Sequence, residues 1–367
     1  MGEQAPKSIL RRLRTAGYEA WYVGGCVRDT LLKRPVHDWD ITTSALPEEV
    51  TALFAKTIPT GIRHGTVTVL EGDAKAEVTT YRTDGQYLDG RHPQAVTFVR
   101  SLREDLARRD FTVNAMAMDD AGTLVDLYGG RADLAARLLR CVGDPVRRFE
   151  EDALRMLRAV RFAAQLGFTI ESETAAAIVR CAPLSQRLSA ERVSEELQKT
   201  LLSPRPQLVG QMAAWGLLRP YGLLEARALT WIAALPAEPA VRFAALKRVY
   251  PEADLSALRL PRRIIQDAAA VSAVERPRDR LGWKRLIAAL GEERGRLASA
   301  LFGETDMVEE IFASGECLSL KELAVTGADF PALSGAAVGE HLKVLLNHVL
   351  EHPEDNRREV LLTWGAP

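Results

Sequence analysis

Near residue 140 the hydrophobic pattern changes period, and that change constrains the fold more than any other feature of the chain. Before it, apolar and polar residues alternate. GTVTVL, AKAEVTTYR and AVTFV have the period of half-buried strands. EAWYVGG reads as a strand entering a glycine turn, CVRDTLL as the helix it opens, and HDWDITT as the next strand. Residues 8–16 form a short basic helix, and TLVDLYGGRADLAARLLRCVG closes the region. After Pro145 the pattern turns helical, through FEEDALRMLRAVRFAAQLGF, SAERVSEELQKTLL and PQLVGQMAAWGLL, with Gly and Pro supplying the breaks. The expectation is an α/β head, a mixed small sheet with helices, followed by an all-α remainder with weak boundaries near 203 and 275.

Composition narrows the function. A formal net charge of -1 over 367 residues excludes nucleic-acid binding by bulk charge, so any such surface must be a local patch. No run of eighteen apolar residues occurs and no secretory h-region opens the chain, so the sequence reads as cytosolic, with no membrane partner. The four cysteines (Cys26, Cys141, Cys181, Cys317) lie far apart, against a zinc site or a disulfide framework.

The stretch GGCVRDTLLKRPVHDWDI carries the chemistry. On a strand, residues i and i+2 share a face, which places Asp38 and Asp40 side by side and in mutual repulsion. A divalent cation relieves it, and Mg²⁺ favours one or two carboxylates completed by substrate phosphates. Such sites perform phosphoryl or nucleotidyl transfer. Glu77, in a later strand, is a candidate third carboxylate. Taken alone, D-x-D also describes a solvated strand face. Gly24 and Gly25 change the reading: they follow a strand and open a helix, where backbone N–H groups can approach phosphate. Arg28, one turn into that helix, adds positive charge.

This combination resembles the signature of the DNA polymerase β nucleotidyltransferase superfamily, and GGCVRDTLL with HDWDITTSA is similar to the class II CCA-adding enzymes and the bacterial poly(A) polymerases related to them. LARRDFTVNAMAMD resembles that family's second motif, with Arg109 placed to reach a triphosphate or ribose. In EEDALRMLRAVRFAAQ, Asp152, Arg155, Arg158 and Arg161 recur every third residue and form a slanting row on a nearly apolar helix. Buried arginines need partners, so this is either an internal salt-bridge ladder or a nucleotide-reading face. The resemblance implies the second, with Glu151, Asp152 and Arg155 matching the family's base-reading E-D-x-x-R. It further implies that Arg158 and Arg161 help bind the nucleotide, and that RLSAERVSEELQKTLLSP braces the base-reading helix. The segment DGQYLDGRHPQAVTF (84–98) matches the loop that the family needs for adding A.

The resemblance implies four parts: a catalytic head (1–141), a helical neck with the base-reading helix (142–202), a body (203–275) and a tRNA-binding tail (276–367). It implies Mg²⁺-dependent addition of C, C and A to tRNA from CTP and ATP, in a homodimer. Its rivals are an enzyme adding only A to tRNA ending in CC, a poly(A) polymerase, and a non-catalytic RNA-binding protein. Lys247, Arg248, Arg259, Arg262 and Arg263 are candidates for an RNA-facing patch, or for a solvated helix surface.

Overall fold

The computed structural model describes residues 6–84 and 96–364, arranged in two compact units, Met1–Ala226 and Arg227–Pro367. Residues 85–95, most of the segment matched to the A-addition loop, lie outside the described residues.

The first unit opens with helix α1 (Lys7–Thr15), strand β1 (Ala20–Val23), helix α2 (Gly25–Leu31), strand β2 (Asp40–Thr43) and helix α3 (Pro47–Leu53). Strands β3 (Thr57–Gly61), β4 (Thr66–Glu71) and β5 (Ala74–Thr80) follow, then the hairpin of β6 (Arg82–Asp84) and β7 (Val96–Phe98). Helix α4 (Leu102–Ala107), strands β8 (Met116–Met118) and β9 (Leu124–Asp126) and helix α5 (Gly130–Ala135) complete the head. Among the described residues, one sheet has the order β3-β4-β5-β2-β1-β8-β9. Its β2–β5 pair is parallel and its other pairs are antiparallel, which is the mixed sheet expected. β-Branched and aromatic residues fill its buried positions, among them Tyr22, Ile41, Val67, Val69 and Val78.

Two local expectations change. Strand β2 starts at Asp40, so Asp38 stands exposed just before it rather than on its face. The ladder reaches back only as far as Trp39, whose carbonyl accepts from the Glu77 N–H. The long helix expected around residue 152 is two helices, α6 (Pro145–Glu151) and α7 (Leu154–Leu166). Asp152 at the joint is extended (φ -143°, ψ 104°), and its carboxylate accepts from the Leu154 N–H at 3.0 Å. A short acid that caps a new helix start competes with helix continuation. No Gly or Pro marks this break.

A second layer of helices, α8 (Ser172–Cys181), α9 (Ala190–Leu201) and α10 (Leu208–Ala214), finishes the unit. α7 is sheathed on nearly every side: ten of its residues are buried, including Arg155 and Arg161.

The second unit is helical throughout the described residues: α11 (Pro239–Val249), α12 (Arg262–Ala273), α13 (Arg280–Leu290), α14 (Glu292–Phe302), α15 (Thr305–Ala313), α16 (Ala336–Glu351) and α17 (Arg358–Thr363). Its core includes Trp283, Ile287, Ala298, Val308, Ile311 and Leu345. Lys247 and Arg248 donate to backbone carbonyls of Pro251, Ala253, Ser272 and Val274, so both are engaged in holding loop ends. Among the described residues, no helix is long and apolar enough to cross a membrane.

Candidate active site

The turn from β1 into α2 forms the floor of the site. Gly24 adopts φ 73°, and a Cβ there would stand 3.2 Å from Arg109 Nη1 and 3.4 Å from Asp40 Oδ2. Glycine is needed for both the backbone angle and the close approach. Above this turn lies a cavity of ≈ 500 Å³. Its lining includes Gly24, Gly25, Arg28, Asp38, Asp40, Arg109, Asp110, Asn114, Arg158, Arg161 and Phe162. Eight of the residues singled out from the sequence therefore meet in one place, drawn from positions 24 to 161.

Acids and arginines share its wall, with Arg109 beside Asp40. Burial pushes the Asp40 carboxyl up to about 6, with Arg109 opposing and Glu77 and Asp38 adding to the rise. Glu77 owes this influence to register: it pairs with Asp40 across the parallel β2–β5 ladder, so both point to one face. Glu77 is itself exposed and is not among the residues lining the cavity.

In the same cavity, three guanidinium groups surround one ring. The Arg28, Arg158 and Arg161 carbons lie 5.2, 5.2 and 3.9 Å from the Phe162 centroid. Each is also held by acceptors. Arg28 donates to Asn114 Oδ1 at 2.7 Å and pairs with Asp29 at 2.8 Å. Arg158 donates from Nε and Nη2 to Asp110 Oδ2, at 2.9 and 2.7 Å. Arg161 pairs with Glu196 of α9. Asp110 also accepts from the Phe111 N–H and from Asn114 Nδ2. Burial alone would raise the Asp110 pKa, but Arg158, Asn114 and Arg155 outweigh it and hold the carboxyl at about 2.

Asp152 and Arg155 are not among the residues lining this cavity. Asp152 pairs with Arg192 of α9 at 2.9 Å. Arg155, 7 % exposed, donates to Glu151 at 2.9 Å, to the Arg148 carbonyl at 3.2 Å and to the Arg108 carbonyl at 3.0 Å. The slanting row is thus both things considered from the sequence: Arg158 and Arg161 face the cavity, and each arginine of the row has a carboxylate partner. Helix α9 braces the row through Arg192 and Glu196. These two residues and Asp105, the partner of Arg108 and Arg109, were not singled out from the sequence. For Asp105 a signal existed, an acid three and four residues before two arginines on one helix face.

The donor set suits a hard divalent cation. Asp38 and Asp40 offer oxygens only, and Asp40, raised first by burial and then by Glu77 and Asp38, is a carboxylate whose charged form a cation would favour. Among the described residues, no three acidic, imidazole or thiol side chains gather into a complete metal cage. An incomplete protein shell leaves coordination positions to phosphate oxygens and water, the arrangement Mg²⁺ favours.

Comparison with known proteins fits this geometry. Residues 20–140 match the family model for the poly A polymerase head domain, and residues 167–226 match that for a probable RNA and SrmB binding site of polymerase A. The CCA-adding enzyme of Enterococcus faecalis is 38% identical over 399 residues, covering 99% of this chain and 95% of that protein. That of Geobacillus thermodenitrificans is 41% identical, covering 98% and 96%. The crystal structure of the Bacillus stearothermophilus CCA-adding enzyme in complex with CTP superposes with a TM-score of 0.84 at 36% identity, covering 99% of this chain and 97% of that one. The Thermotoga maritima CCA-adding enzyme complexed with tRNA shares the fold, with a TM-score of 0.66 at 20% identity.

Proposed function

The chain belongs to the CCA-adding enzyme family, and from that premise we propose that it extends the 3′ end of tRNA by C, C and A, using CTP and ATP and releasing pyrophosphate. The observation that carries this reading is that Asp38, Asp40, Arg28, Arg109, Arg158 and Arg161 line one and the same cavity. A triphosphate needs both, an acid pair for the cation at its reacting end and fixed guanidiniums along its oxygens.

Each residue has a role in this reading. Asp38 and Asp40 would hold Mg²⁺, with Glu77 tuning Asp40 from the neighbouring strand. When bound, the cation supplies activation of the tRNA 3′-hydroxyl and neutralisation of the leaving pyrophosphate. Gly24 and Gly25 let the backbone approach the phosphates. Arg28, Arg109, Arg158 and Arg161 bind the nucleotide and orient its α-phosphate for in-line attack. Asp152 and Arg155 choose the base by exchanging the partners they hold here, Arg192 and Glu151: Asp152 then accepts from the exocyclic amine that C and A share, and Arg155 donates to the adjacent ring acceptor. G and U present the opposite polarity and leave buried partners unmatched, a costly error. RNA is held by phosphate contacts and shape, so a chain of net charge -1 suffices without a sequence-reading module. The head (1–141), neck (142–202), body (203–275) and tail (276–367) divide these tasks, in the cytoplasm where tRNA and both nucleotides are found.

The test is incorporation by purified protein with Mg²⁺ on three tRNA transcripts, ending before CCA, after C and after CC. Growth of the shortest by three nucleotides, and no further, is the expected result. Growth of only the CC-ending transcript, with ATP alone, makes the chain an A-adding enzyme. Unlimited growth with ATP makes it a poly(A) polymerase, and no growth on any transcript refutes the enzymatic reading.

A further inference from the structure

Asp105, on α4, is a carboxylate with no part in the chemistry above, yet it is fully buried at 0 % exposure. Such a site is tolerated only when the charge is matched and its oxygens are saturated. Here both conditions hold. Oδ1 accepts from Arg108 Nε at 2.9 Å, and Oδ2 accepts from Arg109 Nη2 at 3.2 Å and from the Thr42 hydroxyl at 3.1 Å. Burial opposes ionisation of this carboxyl, but the two guanidiniums outweigh burial and keep it below the usual carboxylate range.

The partners tie the site together. Thr42 lies two residues beyond Asp40 on β2, on the same face, and 63 positions from Asp105 in sequence. Arg109 reaches from Asp105 into the cavity, with Nη1 beside Gly24. Its Nε is buried without a hydrogen-bond partner. An arginine held from behind through Nη2 keeps Nη1, beside Gly24, for a phosphate oxygen.

We infer that Asp105 is a positioning residue for nucleotide binding: it holds Arg109 in register with Asp40, so that the affinity for CTP and ATP depends on a carboxylate that touches neither. This rests on the nucleotidyl-transfer reading above and deepens it. A supporting shell of this kind removes the disorder that a long cationic side chain would otherwise lose on binding.

The experiment measures kcat and KM for CTP and ATP, and inhibition by inorganic tripolyphosphate, which lacks a base and a reacting centre. Wild type is compared with Asp105→Asn, Arg109→Gln and the double variant, with folding checked by melting temperature. Asp105→Asn is expected to raise both KM values together, roughly tenfold to a hundredfold, and to weaken tripolyphosphate inhibition in proportion, with a smaller change in kcat. On the Arg109→Gln background the same substitution is expected to add little, because it acts through Arg109. An unchanged KM in folded Asp105→Asn, or full additivity in the double variant, overturns the inference. Should Asp105→Asn not fold, Thr42→Val leaves one buried oxygen short of a donor at constant shape. It is expected to raise the same KM values roughly two- to fivefold, and a wild-type KM there overturns the inference. Wild-type protein inactive on all tRNA transcripts sinks the functional reading instead, so the two failures are told apart.

Discussion

Replacing Asp40 by Asn should abolish nucleotide incorporation and at the same time stabilise the metal-free protein. Its carboxyl titrates at about 6 in the fold, against an ordinary 3.8. Below about pH 4 both folded and unfolded chains carry the proton, so the group contributes nothing. Between 4 and 6 the folded chain binds the proton more tightly, so stability falls as pH rises. Above 6 the full cost of an ionised, crowded Asp40 remains. That cost is about 3 kcal/mol at most and about 1–3 kcal/mol allowing for its partial exposure. The Asn side chain keeps the shape and removes the charge, so Asp40→Asn should raise the melting temperature by roughly 3–10 °C at pH 7.5 in chelator. The assay is thermal unfolding from pH 4.5 to 8 in chelator, repeated with Mg²⁺ and CTP. The gain should shrink toward the acid end. Ligand should narrow the difference at pH 7.5, because wild type then uses the charge to bind. A gain independent of pH, or a loss of stability at pH 7.5, would refute the reasoning that burial and neighbouring acids raise this carboxyl.

Gly130→Ala should destabilise the first unit by about 3 kcal/mol in denaturant titration, because its Cβ would meet the Thr112 carbonyl oxygen at 2.3 Å and Met116 Cγ at 2.8 Å. Asp110, held at about 2, should contribute about 2 kcal/mol that is complete above pH 4 and lost as pH falls toward 2. Acid titration of Asp110→Asn against wild type should therefore converge at the low end. Arg137 is exposed with φ 52°, a left-handed position after α5, so Arg137→Gly should leave incorporation unchanged and gain about 0.5 kcal/mol in denaturant melts.

Much of the site was legible before folding because its signals are local. A strand, two glycines and a helix start leave their mark within a dozen residues, and so does the acid pair that follows. The period change near residue 140 marked where strands give way to helices, since side-chain direction follows backbone geometry residue by residue. The break at Asp152 was not legible: it uses no Gly or Pro, and its cause is a carboxylate capping Leu154 while pairing with Arg192, 40 positions away.

The sequence by itself determined which chemistries were available: the D-x-D acids, the glycine turn at a helix start, and arginines spaced along one helix. Only the tertiary structure decided which charges meet. The parallel pairing of β2 with β5 sets Glu77 beside Asp40. The docking of α7 gives Arg158 to Asp110 across 48 positions, and α9 gives Glu196 to Arg161 across 35. An arginine's spacing on its helix fixes the direction it points, but its partner is chosen by whatever packing brings within about 3 Å, where a buried charge must be matched or excluded.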